Sequence, residues 1–308
     1  MFRSLVLLFS LVISACAFAD APQSVQVTSP ADAEFQEELS SLAEPTQIGI
    51  AIRDLATGQE FSVNGDHLYS QAGLSKIHVL AALMRASDAG RIDLNAAHTL
   101  SPNDKLPGGI LHRLGDNSVT MTLRDYATMM VTIDDNSATN VILSRIGIPA
   151  VNETLSALGA SDIRFAGLIT DPRNPEDNVA SPKALVRCIT ALHEGKTLSP
   201  RSREDFFSLL STPRLGSLRT AIPRHIRVAS KSGIRGRLRC TAGIVYLKNH
   251  PYVIVIMTRP SSAHDETSAE NDPATTISAI SKLAYTHFAQ LAPAEPPHIS
   301  SSNKSEHP

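Results

Sequence analysis

Strand patterns occur near both ends of this chain, and helical patterns fill the residues between them. Apolar residues alternate over 47–54, and after an Ala56-Thr57-Gly58 turn the alternation resumes over 60–64, which predicts a β-hairpin. Three more strand patterns follow, over 227–232, 241–247 and 252–258. Strands so far apart can pair only if the chain returns to one sheet. We therefore expect an α/β fold of mixed α and β elements, with an antiparallel sheet of about five strands, flanking helices and an inserted helical lobe.

The central part of the chain has the apolar spacing of helices. Helical patterns occur over 76–89, 123–131, 137–146, 151–158, 182–193, 200–210 and 273–291. Capping residues precede several of them, namely Thr122, Asp135 or Asn136, Ser181 and Ser199. The helical lobe is therefore expected over about residues 73–215. A binding cleft is expected between this lobe and the sheet.

The first 19 residues are predicted to be a signal peptide. Arg3 precedes an apolar run over 5–13, a pattern typical of export signals. Ala17-Phe18-Ala19 fits a cleavage site that releases a soluble protein, whereas the residues ending in Cys16 fit a lipidation site, and both alternatives stay open. We expect a periplasmic or extracellular protein. The only membrane attachment expected is lipidation of Cys16.

The remaining chain is predicted to hold one folded domain. Residues 20–42 are assigned to a linker and an N-terminal helix, and the linker composition, rich in Ala, Pro, Ser and Asp, extends over 20–35. The domain then covers 43–292, and 293–308 has the composition of a disordered tail. No apolar run approaches the ~20 residues of a membrane-spanning helix.

Net charge, cysteines and histidines limit the partners, disulfides and cofactors that we expect. The formal net charge of -2 gives no sign of a nucleic-acid-binding protein. Cys188 and Cys240 are interpreted as two small buried residues, with a disulfide between them as the less favoured alternative. The 11 histidines show no metal-binding spacing, and no phosphate-binding glycine loop is present. We therefore expect no metal and no cofactor, and the sequence does not determine an oligomeric state.

Four short motifs occur in order along the predicted domain. They are Asp54-Leu55-Ala56-Thr57-Gly58, Lys76-Ile77-His78-Val79-Leu80, Asp135-Asn136-Ser137-Ala138-Thr139-Asn140 and Lys231-Ser232-Gly233. In this order and spacing they resemble the motifs of class A serine β-lactamases and their penicillin-binding-protein relatives, over about residues 46–291. The resemblance implies the fold of a serine hydrolase. It also implies an activity that opens β-lactam or peptide amides through an acyl-enzyme intermediate.

The resemblance also implies a Ser-x-x-Lys motif at the start of the central helix, and here this motif is altered. Lys76 matches the lysine, but Gly73 stands where the nucleophilic serine is expected, and glycine is inert. Ser75 is retained as a minor catalytic candidate, although it should face away from the cleft. Ser70 and Ser232 are the other displaced nucleophiles considered.

The second motif is altered as well, whereas Lys231-Ser232-Gly233 differs from the third only by serine in place of threonine. Asp134-Asp135-Asn136 stands where the resemblance implies Ser-Asp-Asn, so a carboxylate replaces a catalytic hydroxyl, and Asn136 is expected to bind substrate. Asp134 is interpreted either as a helix N-cap or as an ion-pair partner between Lys76 and Lys231, with a raised pKa if it is buried. Lys231, Ser232 and Gly233 are expected to bind substrate.

Two further segments carry open alternatives. The general base that the resemblance implies before Ser181 has no clear match, because Glu176 lies closer to the helix than the resemblance implies, and Asp171 is the other candidate in this short loop. The arginines at positions 235, 237 and 239 are interpreted as a solvated hairpin face, with an anion-binding patch as the alternative.

The altered motifs lead to three functional hypotheses. The first is a catalytically impaired protein that binds a β-lactam, a peptidoglycan-like fragment, a peptide or a partner protein in the cleft. The second is an active hydrolase with a displaced nucleophile, and the third is a structural envelope protein anchored through Cys16. An open cleft is expected for the first two and a filled cleft for the third.

Overall fold

The computed structural model describes residues 29–43, 48–167, 178–212, 216–259 and 272–291. The predictions for the signal peptide, Cys16, the C-terminal tail, Asp171 and Glu176 lie outside these residues. The five-stranded sheet has the order β2-β1-β9-β8-β7, and all neighbours are antiparallel. Its strands are β1 (Gly49–Asp54), β2 (Glu60–Val63), β7 (Val228–Arg235), β8 (Leu238–Val245) and β9 (Tyr252–Met257). The predicted return of the chain to one antiparallel sheet is confirmed.

Helices cover both faces of this sheet. In chain order they are α1 (Pro30–Ala43), α2 (Ser75–Asp88), α3 (Leu123–Thr132), α4 (Asn136–Ile146), α5 (Ile148–Ala157), α6 (Pro182–His193), α7 (Pro200–Leu210), α8 (Ser217–Thr220) and α9 (Pro273–Gln290). Thr122, Asp135, Ser181 and Ser199 each accept a hydrogen bond from the first turn of α3, α4, α6 and α7 respectively. Their hydroxyl and carboxylate oxygens satisfy backbone donors that the helix leaves unpaired.

The sheet separates two apolar cores. All six residues of β9 are buried, because the strand is central and covered on both faces. Ile254 and Ile256 pack with α1 and α9 on one face. Val253, Val255 and Met257 pack on the other face against the helical lobe. This alternation of neighbouring side chains fixes the register of the sheet.

Helix α2 is the centre of the lobe. Eleven of its 14 residues are buried, from Ser75 to Ala86, so the helix is enclosed rather than amphipathic. Lys76 is among them, at 2% exposure. A lysine carried into the interior needs acceptors for its ammonium group, because a buried unpaired charge is strongly destabilising.

One sequence prediction is corrected, and one feature of the fold was not predicted. The linker predicted over 20–35 is too long, because α1 begins at Pro30, where Ser29 and Asp32 close the first turn through side-chain hydrogen bonds. The strand patterns did not reveal two small sheets, in which β3 (Tyr69–Ser70) pairs with β6 (Val179–Ala180) and β4 (Ala97–Leu100) pairs with β5 (Val119–Thr122). These short strands hold lobe segments in place and have little periodicity of their own.

The two described cysteines are free and buried, as the favoured interpretation predicted. Burial raises the pKa of both thiols to about 12, so neither is a reactive thiolate at neutral pH. The Cys240 Sγ donates to the carbonyl of Gln71 at 3.1 Å, which links β8 to the segment preceding α2.

Candidate active site

Gly73 lies in a tight contact between the start of the lobe and the edge strand β7. It occupies the middle of a 3₁₀ turn, Ala72–Leu74, that leads into α2. A Cβ atom added to Gly233 would lie 2.5 Å from the backbone nitrogen of Gly73, so only glycine fits at position 233. Ala72 has a φ of 43°, a left-handed conformation that costs free energy and persists only where surrounding contacts impose it.

Asp134 joins the two lysines that the motifs predict for the cleft. Its Oδ1 accepts a hydrogen bond from Lys231 Nζ at 2.6 Å and another from Lys76 Nζ at 3.0 Å. Each lysine side chain is only 2% exposed, whereas the Asp134 side chain is 41% exposed. One carboxylate oxygen therefore neutralises two enclosed ammonium groups while the rest of the side chain faces the cleft.

Both lysines make further hydrogen bonds. Lys76 Nζ donates to the Asp134 carbonyl at 2.6 Å and to Asn136 Oδ1 at 3.0 Å. Lys231 Nζ donates to the Ser232 carbonyl at 2.8 Å. Asn136 is held in turn by its Nδ2, which donates to the Pro107 carbonyl at 2.7 Å. Lys76 makes three hydrogen bonds in this arrangement, which matches its three ammonium hydrogens.

Asp134 and Asp135, which are neighbours in the turn before α4, make different contacts. Asp135, not Asp134, is the N-cap, with Oδ1 accepting from the Ala138 N–H at 2.9 Å. Its Oδ2 accepts from the N–H groups of Ile110 and Leu111. The N-cap interpretation of Asp134 is therefore wrong. Asp134 has a φ of 60°, a left-handed conformation that Asp tolerates better than most residues.

The Asp134 carboxylate fills the space beside Gly73. A Cβ atom on residue 73 would lie 2.7 Å from Oδ1 and 3.0 Å from Oδ2 of Asp134, and 3.1 Å from the Ser232 carbonyl oxygen. Real Cβ contacts are longer than the first of these distances, so any side chain here displaces the carboxylate. Gly73 and Asp134 are therefore a sterically matched pair.

Burial and ion pairing set the pKa values of the cluster. Burial lowers the pKa of Lys76 to about 8, and the charge of Asp134 opposes this shift. Burial acts to raise the pKa of Asp134, but the charges of Lys231 and Lys76 outweigh it and hold the pKa below 3.8. The prediction of a raised pKa for a buried Asp134 is therefore wrong. Asp134 is ionised at neutral pH because two cations stabilise its charged form.

The serines named from the sequence lie in different places. Ser75 is buried, and its hydroxyl donates to the Ala72 carbonyl at 3.0 Å, so the geometry gives it no role as a nucleophile. Ser70 belongs to β3, in the small sheet with β6. Ser232 lines the cleft, with its Oγ donating to Thr241 Oγ1 at 3.5 Å.

An open cavity of about 280 Å³ adjoins the Asp134 carboxylate. Asp134, Lys231 and Ser232 contribute to its wall, and Ile133 and Ile234 flank the mouth with 41% and 63% exposure. The other lining residues are Thr132, Gly216, Leu218, Arg219 and Ser230. The cleft is therefore open, which is the arrangement expected for a ligand-binding protein.

A profile described as "Beta-lactamase enzyme family" matches residues 31–288, a span that includes the whole cluster. The chain belongs to this family. It is 24% identical over 259 residues to the β-lactamase CARB-3 of Pseudomonas aeruginosa, covering 81% of this chain and 87% of that protein. To the β-lactamase CARB-4 of the same organism it is 26% identical over 265 residues, covering 82% and 88%.

Solved structures give the same assignment. The structure of PBP-A superposes with a TM-score of 0.74 and 26% identity, covering 84% of this chain and 97% of PBP-A. The β-lactamase of Sphaerobacter thermophilus superposes with a TM-score of 0.75 and 25% identity, covering 85% and 98%. A mutant of PBP-A has been solved as an acyl-enzyme complex with penicillin G. This chain is thus a class A β-lactamase-like protein, and the family binds β-lactam substrates.

Gln71 is a component of this β-lactamase-like site that the motifs did not reveal. Its backbone N–H donates to the Asn178 carbonyl at 2.8 Å and its Nε2 donates to the Arg164 carbonyl at 3.3 Å. Its Oε1 lies 2.7 Å from Nε2 of the buried His78. Gln71 therefore fixes the turn before Gly73 against two lobe segments. Because Arg164 and Asn178 are distant in sequence, no local pattern signals the role.

Two negative findings concern the described residues only. None of the helices in the five described ranges is both long and apolar enough to cross a membrane. Within the same ranges, no three His, Cys, Asp or Glu residues are grouped in a way that suits a metal ion. Of the hairpin arginines, Arg235 ends β7, Arg237 lies in the β7–β8 turn, and Arg239 belongs to β8 and donates to the carbonyls of Gly236 and Leu238.

Asp134→Asn is expected to lower the free energy of unfolding at pH 7 by about 1–2 kcal/mol. Removing one partner of a fully buried ion pair costs about 3–5 kcal/mol of stability. The expected cost is smaller here because solvent screens the half-exposed Asp134 carboxylate. Because the pKa of Asp134 is lowered, its stabilisation is present above pH 3.8 and disappears as the pH falls below that value. Urea unfolding of both proteins at pH 7 and pH 3 measures the difference.

The matched control is Asp66→Asn, which removes an exposed carboxylate that is paired with Lys183. We expect this variant to change stability by less than about 0.5 kcal/mol. Equal effects of the two substitutions at pH 7 would contradict the role of Asp134 as a shared counter-ion.

Proposed function

We propose that this protein is a non-acylating member of the β-lactamase family that binds a peptide or cell-wall fragment in the cleft beside Asp134. The observation that carries the proposal is the steric pairing of Gly73 with the Asp134 carboxylate. Acyl transfer in this fold needs an activated hydroxyl at the start of the central helix. Here that position has no side chain, and the space is occupied by a carboxylate that is ion-paired to both lysines.

The preserved parts of the site support binding rather than loss of function. The ion pairs, the Asn136 contacts and the strained backbone at Ala72 maintain an ordered cleft wall. The cavity is open to solvent, which counts against a purely structural protein whose cleft is filled. We also propose export, on the basis of the signal pattern over residues 1–19.

An active hydrolase with a displaced nucleophile is the second candidate, and one observation favours it. Ser232 lies on the cavity wall and is adjacent in the chain to Lys231, which also lines the cavity. Lys231 is committed to Asp134 and to the Ser232 carbonyl, so it is not oriented to take a proton from the Ser232 hydroxyl. The first proposal therefore accounts for more of the geometry.

Intact-mass spectrometry after incubation with excess penicillin G tests the proposal. We expect no covalent adduct on the wild-type protein and no decrease in penicillin concentration. The control is Ser232→Ala, which is expected to behave identically. An adduct on the wild type that disappears in Ser232→Ala would overturn the proposal and establish the displaced-nucleophile hydrolase, and peptide mapping would identify any other modified residue.

A further inference from the structure

Within the cluster of Asp134, Lys76 and Lys231, the negative charge is the one exposed to the cleft, because the two lysines lie beneath the carboxylate. Lys76 and Lys231 are each 2% exposed, whereas 41% of the Asp134 side chain is exposed. A molecule entering the cavity therefore contacts the carboxylate before either ammonium group. Arg219 also lines the cavity, but its guanidinium donates to the carbonyls of Ile222, Pro223 and Arg224.

The Asp134 carboxylate has one oxygen available. Oδ1 accepts from both lysines. In the part of the chain that the structure describes, no residue donates a hydrogen bond to Oδ2. A carboxylate oxygen has two lone-pair sites, so Oδ2 can accept N–H or O–H donors from a ligand.

The positive charge of the lysines is already balanced. Asp134 pairs with both, and the adjacent Asp135 carboxylate also acts on Lys76 by attracting its charge. Two ammonium and two carboxylate groups give a formal sum of zero for this cluster, so the lysines themselves offer no surplus positive charge to an anion. Arg219 is a further cation of the cavity wall, and its guanidinium is directed to three backbone carbonyls. A ligand carboxylate would approach Oδ2 with a like charge, and like charges at close range repel each other.

The cavity suits a small ligand end with an aliphatic flank. Its volume of about 280 Å³ is at the lower limit for small-molecule pockets, which range from about 300 to 1,000 Å³. Ile133 and Ile234 flank the carboxylate with exposed aliphatic side chains. These features match the final residue or two of a peptide rather than a long chain.

We propose that the cleft selects peptides that end in a carboxamide over the same peptides that end in a carboxylate, because the terminal amide N–H₂ donates to Asp134 Oδ2. This inference rests on the proposed binding function and specifies its ligand class. The terminal amide makes a charge-assisted hydrogen bond, and the penultimate side chain packs between Ile133 and Ile234. A site with exposed cationic groups would instead favour the peptides that end in a carboxylate.

Calorimetric titration with paired peptides tests this selection. The probes are N-acetyl-alanyl-alanine and N-acetyl-alanyl-alaninamide, each in the L,L and D,D forms, at pH 7. We expect the amide of at least one stereochemical form to bind wild type with a Kd about 10-fold or more below that of its carboxylate partner. Asp134→Asn, whose side chain both donates and accepts, is expected to reduce that ratio to less than about 3-fold. Asp66→Asn should retain it.

The outcomes separate this inference from the proposed function. Equal or tighter binding of the carboxylate peptides would overturn the selection and leave a non-acylating binding cleft in place. Absence of binding by all four peptides up to 10 mM (roughly the weakest useful Kd range) would overturn both the selection and the peptide-binding part of the proposal. A penicillin adduct would overturn only the non-acylating part, since it leaves the amide preference measurable.

Discussion

Gly73→Ser alone is expected to form no penicillin adduct, whereas Gly73→Ser combined with Asp134→Ser is expected to form one. A side chain on residue 73 begins 2.7 Å from Asp134 Oδ1, and that oxygen is held by two lysines. The new serine therefore either displaces the carboxylate or adopts a strained conformation. Restoring the hydroxyl without removing the carboxylate leaves the serine without the space it needs.

The double substitution removes this conflict. Serine at position 134 is smaller than aspartate and restores the Ser-Asp-Asn triplet that the family resemblance implies. Lys76 then loses its strongest charged partner, and burial already lowers its pKa to about 8, which favours proton acceptance near neutral pH. We expect adduct formation about 100-fold faster or more in the double variant than in Gly73→Ser, in line with a general-base contribution.

Intact-mass spectrometry over time with penicillin G measures both rates. The matched control is Gly73→Ala with Asp134→Ser, which fills the same space without a nucleophile and should form no adduct. Rapid acylation of Gly73→Ser alone would show that the carboxylate moves easily and would contradict the steric pairing. Failure of a folded double variant to acylate would mean that the cleft differs from the family in more than these two residues.

Lowering the pH from 7 to 4 is expected to destabilise the protein by about 3 kcal/mol through His78 alone. His78 is fully enclosed in α2, and burial lowers its pKa from 6.5 to about 4. In the unfolded chain the imidazole takes up a proton below pH 6.5, whereas in the folded protein it stays neutral until about pH 4. Since the unfolded state binds more protons in this window, stability falls as the pH falls.

The geometry explains why the neutral imidazole is preferred. Nε2 donates to Gln71 Oε1 at 2.7 Å, and Nδ1 lies 3.9 Å from Cys188 Sγ. A second proton on Nδ1 would therefore face a thiol rather than a carboxylate. Because Gln71 also holds the turn before Gly73, protonation of His78 is expected to loosen the cleft wall as well as the core.

Urea unfolding at half-unit steps between pH 7 and 4 measures this effect. The comparison variant is His78→Gln, whose amide can donate a hydrogen bond to Gln71 but does not titrate. Between pH 7 and 4, the stability of this variant should decline by about 3 kcal/mol less than that of the wild type. His225→Gln, at an exposed position, is the matched control and should follow the wild type. Parallel curves for the wild type and His78→Gln would contradict the assignment.

Much of the fold was predictable because local sequence patterns determine local backbone structure. The bounds predicted for α6 and α7 are the observed ones, Pro182–His193 and Pro200–Leu210. Both helices begin with a serine cap followed by proline, a strong start signal. The short strands β3 and β6 were missed, since two-residue strands have no period and form only through their partners.

The residues of the site were predictable as a set, but their contacts were not. The motif order indicated Gly73, Lys76, Asp134, Asn136 and Lys231 together. The neighbouring aspartates could not be assigned from the sequence, because either can cap α4 by composition. Their roles follow from the backbone at Asp134, whose φ of 60° turns its side chain toward lysines 58 and 97 residues away in the chain.

The sequence alone was enough to predict the α/β architecture, the strands of the main sheet, most of the helices, and the absence of a hydroxyl at position 73, just before the central helix. Only the tertiary structure decided that the Asp134 carboxylate occupies the space beside Gly73, that its pKa is lowered rather than raised, and that the lysines beneath it are inaccessible. The physical reason is that periodicity and capping act between near neighbours in the chain. Steric exclusion, ion pairing and burial depend on distances between distant segments, which exist only in the folded protein.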